Sequence, residues 1–373
     1  MQKPCYNKIF FAVFTLLWAG IVTVNILKPY REFSENENRY LEKFPSFTVE
    51  KLVNGKFMNS IDNYFNDHFV GRDSWIAAQS TLEYAQGKRE NNGVYIGHGA
   101  LFDKLDNFDI GNIRKNSAAI DEFAKRTGLR CRVMIVPSAG AVQSERLPFC
   151  APVSDQRAGI SEAYSQLNAA SGIDLFPALG AKENEYIYYR TDHHWTTYGA
   201  YLAYREYCAA AALAAVDYNA KQVSDAFNGT LYSSSGVRFM KSDTVEAYES
   251  DAFAGIEIYD GEKKTFRGDI YFDEFLTAKD KYSYFLGQNR AVVTIRGNRK
   301  TEKKLLIFKD SYAHCFAPML LEHYDEIALV DLRYANQGLS DIIDPMYFDE
   351  ILFLYSIDSY ACSTDIVKLN FAL

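Results

Sequence analysis

From Ile9 to Leu27 the chain reads IFFAVFTLLWAGIVTVNIL, an uncharged apolar run about as long as a helix needs to cross a hydrocarbon layer. No later run resembles it. Residues 28–92 are polar, with apolar positions at Phe57, Ile61, Tyr64, Phe65 and Phe69 near the helical repeat, which predicts a stalk and an amphipathic docking helix. Beyond them come short apolar, β-rich runs, each closed by a polar turn: GVYIG (93–97), RVMIVP (132–137), EYIYYR (185–190), KLLIFK (304–309), EIALVDLRY (326–334) and EILFLYS (350–356). Helix-compatible stretches such as IDEFAKRTG and TTYGAYLAYREYCAAAALAA separate most of them. Continuous apolar strands alternating with helices predict an α/β fold whose parallel sheet is covered on both faces. Between about 215 and 300 the pattern changes to alternation, and GIEIYDGEKKTFRG reads as a hairpin turning at Asp260 and Gly261. This part is expected to be a β-rich insertion.

The pattern divides the chain into a cytoplasmic tail (1–8), a transmembrane signal anchor (9–27), a helical stalk and docking segment (28–92) and an α/β domain (93–373). Lys3 and Lys8 precede the apolar run and favour a cytoplasmic N-terminus, although Lys28 and Arg31 follow it closely. A cleaved signal peptide is the rival reading. No clear A-x-A site follows the run, and Cys5 lies ahead of it, where a lipoprotein cysteine does not belong. Under either reading the bulk of the chain is exported.

Composition narrows the function classes. With 40 basic against 48 acidic residues there is no basic excess, which argues against a nucleic-acid binder. The 27 Tyr and 26 Phe suit strand-rich packing first, and sugar-binding surfaces second. Six cysteines leave five in the exported part, an odd number with no CxxC or zinc spacing. A Cys131–Cys150 disulfide is an option, with Cys131 as plain core the alternative.

In an open parallel sheet, sites form at the carboxyl ends of strands. After EYIYYR come Thr191, Asp192, His193, His194 and Trp195; after KLLIFK come Asp310, Ser311 and Tyr312. A hydroxyl nucleophile needs a base and a group that orients that base. Ser311, His194 and Asp192 supply those types. Two apart in extended backbone, Asp192 and His194 are expected on one side, with Thr196 or Thr197 capping the helix that follows. Pro318 argues that Ser311 sits on a turn rather than inside a helix, where free backbone N–H groups stabilise an oxyanion. Each piece also has a bland explanation: the Asp-Ser is a cap, and His194 is a satisfied core histidine. His314 competes as base, and spacing does not choose between the two.

TDHHWTTYGAY (191–201) together with LLIFKDSYAH (305–314) resembles the DHHW family of bacterial exported proteins, itself similar to alginate O-acetyltransferase accessory proteins with an SGNH-hydrolase-like domain. ENRYLEKFP, the stretch from Asn63 to Arg72, FNGTL, YFLGQN and VDLRY strengthen the resemblance, which spans nearly the whole chain. It implies a three-layer α/β/α fold with a circularly permuted motif order, because the Asp-x-His pair precedes the serine. It implies Ser311 as nucleophile, His194 as base and Asp192 as its orienting acid, with no role for His193. Lys309 stands where many relatives of that hydrolase class carry Gly, and no Gly-x-Asn-Asp block is visible. Arg333, Tyr334 and Ser356 fall where the later blocks belong. Arg333 is the first candidate oxyanion donor and Asn289 the second, while an Arg333–Asp331 ion pair is the alternative. Trp195, Tyr312 and Tyr334 are the candidates for touching a sugar.

The resulting expectation is a single-pass membrane protein with an extracytoplasmic acyl-transfer domain. It acts as an O-acetyltransferase or acetylesterase on an envelope or secreted polysaccharide, needs no cofactor or metal, and takes acetyl groups from a membrane-bound donor protein. The alternative is a non-catalytic glycan-binding or assembly protein with the same fold. A third reading, a metal phosphoesterase suggested by Asp-His-His, lacks the further Asp-rich motifs.

Overall fold

The computed structural model describes residues 4–335 and 337–371. The chain divides into two units, one running up to Lys88 and including Gly236–Phe239, the other formed by Arg89–Ser235 and the chain from Met240 onward.

In the first unit, helix α1 (Pro4–Leu27) carries the apolar run, and its segment Tyr6–Leu27 is long and apolar enough to cross a membrane. Helices Val49–Val53, Lys56–Asp67 and Arg72–Ala85 follow. Helix Lys56–Asp67 ends before Phe69 because His68 caps it, so the periodic stripe outruns the helix. ENRYLEKFP meets the stretch from Asn63 to Arg72 through buried Asp67, whose carboxylate accepts from both Nη atoms of Arg39 at 2.8 and 2.5 Å and from the Glu42 N–H at 2.8 Å. The hydrogen bonds from Arg39 hold the Asp67 carboxyl below its ordinary range. Those two motifs therefore fasten this unit.

The second unit is built on an eight-stranded sheet. In chain order its strands are β1 (Arg130–Val136), β2 (Ser171–Ile173), β3 (Glu257–Asp260), β4 (Thr265–Arg267), β5 (Val292–Arg296), β6 (Lys304–Lys309), β7 (Glu326–Val330) and β8 (Glu350–Ser356). Their order across the sheet is β4-β3-β5-β7-β6-β8-β1-β2. The five strands from β7 to β2 are parallel, and β5, β3 and β4 continue the sheet antiparallel. The alternating region therefore extends the sheet beyond β7, with the hairpin turning after Asp260 as its spacing predicts. The rest of that region forms a separate antiparallel pair, Ala220–Phe227 with Asp243–Tyr248.

The central strands read as continuous apolar runs because both faces are covered. Phe308 and Phe353 pack edge-on against Phe123 of helix α2 (Ile110–Thr127). On the opposite side of the pleat, Arg132 donates to the Ala210 carbonyl of helix α4 (Thr197–Ala211) and lies in an ion pair with Glu350 at 2.5 Å. Helix α3 (Gln156–Ser165) joins α2 on its side. These contacts make the three layers.

Three expectations change. GVYIG does not join the parallel sheet: Val94–Ile96 pairs antiparallel with Glu90–Asn91 and Leu101–Asp103 in a separate three-stranded sheet. EYIYYR is not a strand of the sheet: only Tyr188 pairs, with Trp195, in an isolated antiparallel bridge. Its apolar character reflects burial, since Ile187, Tyr188 and Tyr189 are at most 1% exposed. The Cys131–Cys150 disulfide does not form either, both being free thiols. Cys131 faces the core, where burial pushes its thiol up to about 12, and Cys150 is exposed.

Candidate active site

The chain leaves β6 at Asp310, and Ser311 follows on a turn before the short helix Ala313–Phe316, with Pro318 in the first turn of the next. Asp310 fixes that turn. One carboxylate oxygen accepts from the Tyr312 N–H at 2.9 Å; the other accepts from the Ser356 N–H and hydroxyl, at 2.8 and 2.7 Å, at the end of β8. The ends of β6 and β8, adjacent in the sheet, are thus tied side by side where the strand order reverses direction, the place an open α/β sheet leaves for a site.

The segment from Thr191 to Trp195 arrives from a loop. It is closed by the Tyr188–Trp195 bridge and by a hydrogen bond from the Tyr189 N–H to the His194 carbonyl at 3.2 Å. Buried Asp243 anchors its start by accepting from the Arg190 and Thr191 N–H groups at 2.7 and 2.8 Å. Thr196 then caps α4, its side chain accepting from the Gly199 N–H. Asp192 and His194 meet because the loop turns between them, not because an extended strand aligns them: the His194 N–H donates to Asp192 Oδ1 at 3.1 Å.

His194 Nδ1 lies 2.6 Å from Asp192 Oδ1, and His194 Nε2 lies 2.6 Å from Ser311 Oγ. Asp192 also accepts, on its other oxygen, from the Thr230 N–H at 2.8 Å and hydroxyl at 3.0 Å. Burial disfavours its charge, but the fields of His193 and His194 and these hydrogen bonds outweigh that, holding the carboxyl well below its ordinary range. An ionised Asp192 only accepts, so Nδ1 of His194 carries the proton. Burial, then the neighbouring His193, lowers the His194 pKa against the pull of Asp192. The neutral ring therefore offers Nε2 as acceptor to the Ser311 hydroxyl. This arrangement can remove a proton from Ser311 and return it to a leaving group.

His314 is turned elsewhere. Its Nε2 accepts from Lys309 Nζ at 2.7 Å, and Lys309 also donates to Asn289 Oδ1 at 3.0 Å. Burial pulls the Lys309 ammonium down to about 8 despite Asp331 nearby.

A cavity of about 190 Å³ opens at Ser311, lined also by Asp103, His193, Tyr312, Arg333, Ser356 and Asp358. Among the described residues the Ser311 N–H has no acceptor, which makes it an available oxyanion donor. Arg333 borders the cavity, but its Nε and Nη2 bind the two oxygens of Asp331 at 2.8 and 2.7 Å. Asn289 is not among the residues that line the cavity, and its Oδ1 accepts from Lys309. Trp195 is 0% exposed and donates to the Tyr312 carbonyl at 3.1 Å, so it is core and touches no sugar. Tyr312 is buried as well, and its hydroxyl donates to the His193 carbonyl. Tyr334 is exposed and lines a different groove, with Tyr259 and Asp341.

The ligand atoms of Asp192, His193 and His194 lie within 4.8 Å of one another, a spacing a cation accepts. A cation bound there would have to displace the hydrogen bonds that join Asp192, His194 and Ser311.

Sequence reasoning missed several supporting residues. Tyr282 stacks on His194 and donates to the Ser311 carbonyl at 3.1 Å. Thr230 holds Asp192, and Gly229 permits it: a Cβ there would lie 2.3 Å from the Asp192 Cβ. FNGTL carried that signal, since a Gly-Thr pair in an otherwise unexplained motif marks close backbone approach. Asp103, at the end of strand Leu101–Asp103, gave no signal.

The profile of the DHHW protein family matches residues 131–330, which include both the loop and the serine turn. The chain belongs to the DHHW family. A DHHW family protein of known structure from Eubacterium siraeum DSM 15702 superposes with a TM-score of 0.65 at 26% identity, over 76% of this chain and 97% of that one. Bacillus cereus PatB1 superposes with a TM-score of 0.62 at 19% identity, over 74% of this chain and 99% of that one, a likeness of fold. In sequence, this DHHW protein is 25% identical over 190 residues to the probable alginate O-acetylase AlgJ of Pseudomonas syringae pv. tomato (strain ATCC BAA-871 / DC3000). That match spans about half of each chain, 47% of both.

Proposed function

We propose that this protein is a membrane-anchored, exported acyl-transfer enzyme that O-acetylates a cell-envelope or secreted polysaccharide through an acetyl-Ser311 intermediate. The observation that carries the reading is the hydrogen-bonded relay Asp192–His194–Ser311 opening on a cavity. The partial likeness to a probable alginate O-acetylase supports acetyl transfer to a glycan.

In this reading Ser311 Oγ attacks the acyl carbonyl of the donor while His194 Nε2 takes its proton. The Ser311 N–H stabilises the oxyanion, and His194 protonates the leaving group. A sugar hydroxyl then enters, gives its proton to His194 and takes the acyl group, freeing Ser311. With water in place of the sugar the same steps make an acetylesterase, so transfer depends on keeping water from the intermediate. α1 would hold the enzyme at the membrane with its bulk outside the cytoplasm. Cytoplasmic acetyl-CoA is then out of reach, and a membrane-bound protein would deliver the acyl group.

Incubating the protein with p-nitrophenyl acetate and digesting it for mass spectrometry tests the reading. An acetyl group on the Ser311 peptide, absent from Ser311→Ala, is the expected outcome. No adduct, together with glycan binding that survives Ser311→Ala and His194→Ala, would replace it with the non-catalytic glycan-binding reading.

A further inference from the structure

Carboxylates outnumber cations on the wall of the Ser311 cavity. Asp103, Asp310 and Asp358 line it, and among the described residues none of the three has a cation within ion-pair distance. Asp310 is satisfied by the N–H and O–H groups of the strand ends. Asp103 has no hydrogen-bond partner for its carboxylate among the described residues, and Asp358 accepts only a long contact, 3.7 Å, from the Cys362 thiol. The one lysine or arginine on the wall is Arg333, and the Asp331 carboxylate pairs with one edge of its guanidinium, Nε and Nη2, offsetting its charge.

We propose that the acceptor is a sugar carrying no carboxylate, a neutral or amino-bearing residue whose hydroxyl, amide or ammonium hydrogens bind Asp103 and Asp358, and that the cavity rejects uronates. The proposal rests on the acyl-transfer reading and names its acceptor class. Asp103 is half-buried and Asp358 exposed, so both carboxylates are open to a ligand, and sugar hydroxyls and amine groups are the donors they accept from. A uronate brings a further acceptor with a negative charge, and like charges forced together discriminate strongly against the wrong partner. Burial, with Asp358 and Asp192 adding to it against His193, lifts the Asp103 carboxyl to about 6, as expected of a carboxylate still waiting for a donor. The acceptor thus differs in charge from alginate, a chain of uronates.

The full-length protein in detergent, supplied with p-nitrophenyl acetate, is offered equal-length oligomers of glucosamine, N-acetylglucosamine and mannuronate, and O-acetyl products are read by mass spectrometry. Expected is acetylation of one or both hexosamine oligomers by about tenfold or more over mannuronate. Raising salt from about 0.02 M to about 0.5 M should shrink that ratio. So should the double variant Asp103→Asn, Asp358→Asn; if it folds poorly, Asp358→Asn alone, at an exposed position, replaces it. Mannuronate used as well as the hexosamines overturns the proposal. So does a ratio indifferent to both salt and substitution, or acyl-Ser311 that passes to none of the three. Absence of acyl-Ser311 in the same samples instead sinks the acyl-transfer reading itself.

Discussion

Tyr282 lies flat on the imidazole of His194, with ring centroids 3.7 Å apart and planes 10° from parallel. The same side chain donates to the Ser311 carbonyl, so one residue touches both the base and the backbone of the nucleophile. Stacking removes the freedom of the imidazole to tilt, leaving Nε2 aimed at Ser311 Oγ. Tyr282→Phe keeps the stack and should hold p-nitrophenyl acetate turnover within a few-fold of the parent. Tyr282→Ala should lower kcat by about 10²-fold with KM little changed, the cost of a small misplacement of a reacting group. Equal losses in both variants would mean that the hydroxyl, not the stack, matters.

The Asp192 carboxylate sets the His194 tautomer. Asp192→Asn offers an amide that bonds the ring in either tautomer, so turnover should fall by about 10³–10⁴-fold, as in a serine triad. Steady-state kinetics measure it, and a loss below about tenfold would detach Asp192 from the base.

His194 works in its neutral form, and burial lowers its pKa below the ordinary histidine value. As pH falls through that lowered pKa the ring gains a proton and Nε2 stops accepting. Turnover should therefore rise with pH to a plateau whose half-point lies below about 6.5. A pH profile of acyl release checks the sign and position. A half-point well above that value would contradict the buried, neutral base.

Gly229 is where the backbone passes closest to Asp192, and a methyl group added to its Cα would sit 2.3 Å from the Asp192 Cβ. Gly229→Ala should force the two apart, destabilising the fold by about 1–3 kcal/mol and lowering turnover through loss of the Thr230 hydrogen bonds. Thermal unfolding and turnover, compared with Thr230→Val, separate the steric effect from the lost hydroxyl contact. A neutral Gly229→Ala would show that the loop yields freely.

The parallel strands were legible because a strand buried on both faces must be apolar at every position, as β6 and β8 are. EYIYYR has the same composition without being such a strand. Apolar composition records burial, and burial does not require a ladder. In the site, residue types and their flanking motifs were readable, since DHHW and KDSYAH carry chemistry in short spacings. The choice between His194 and His314 was not, nor were Tyr282, Thr230 and Asp103.

By itself the sequence determined that one apolar helix precedes a covered α/β sheet, and that a serine, a histidine and an aspartate stand beside its turns. Tertiary structure alone decided which histidine meets the serine. Residues 117 positions apart come within 2.6 Å because α4 packs against the helix Ala313–Phe316 that follows the serine turn, and Trp195 bonds the Tyr312 carbonyl. It also decided that Lys309 occupies His314, that Asp331 occupies Arg333, and that Trp195 is core. Local pattern reports what each residue can do. Long-range packing determines which partner is within reach, and hydrogen bonds and charges act only at contact.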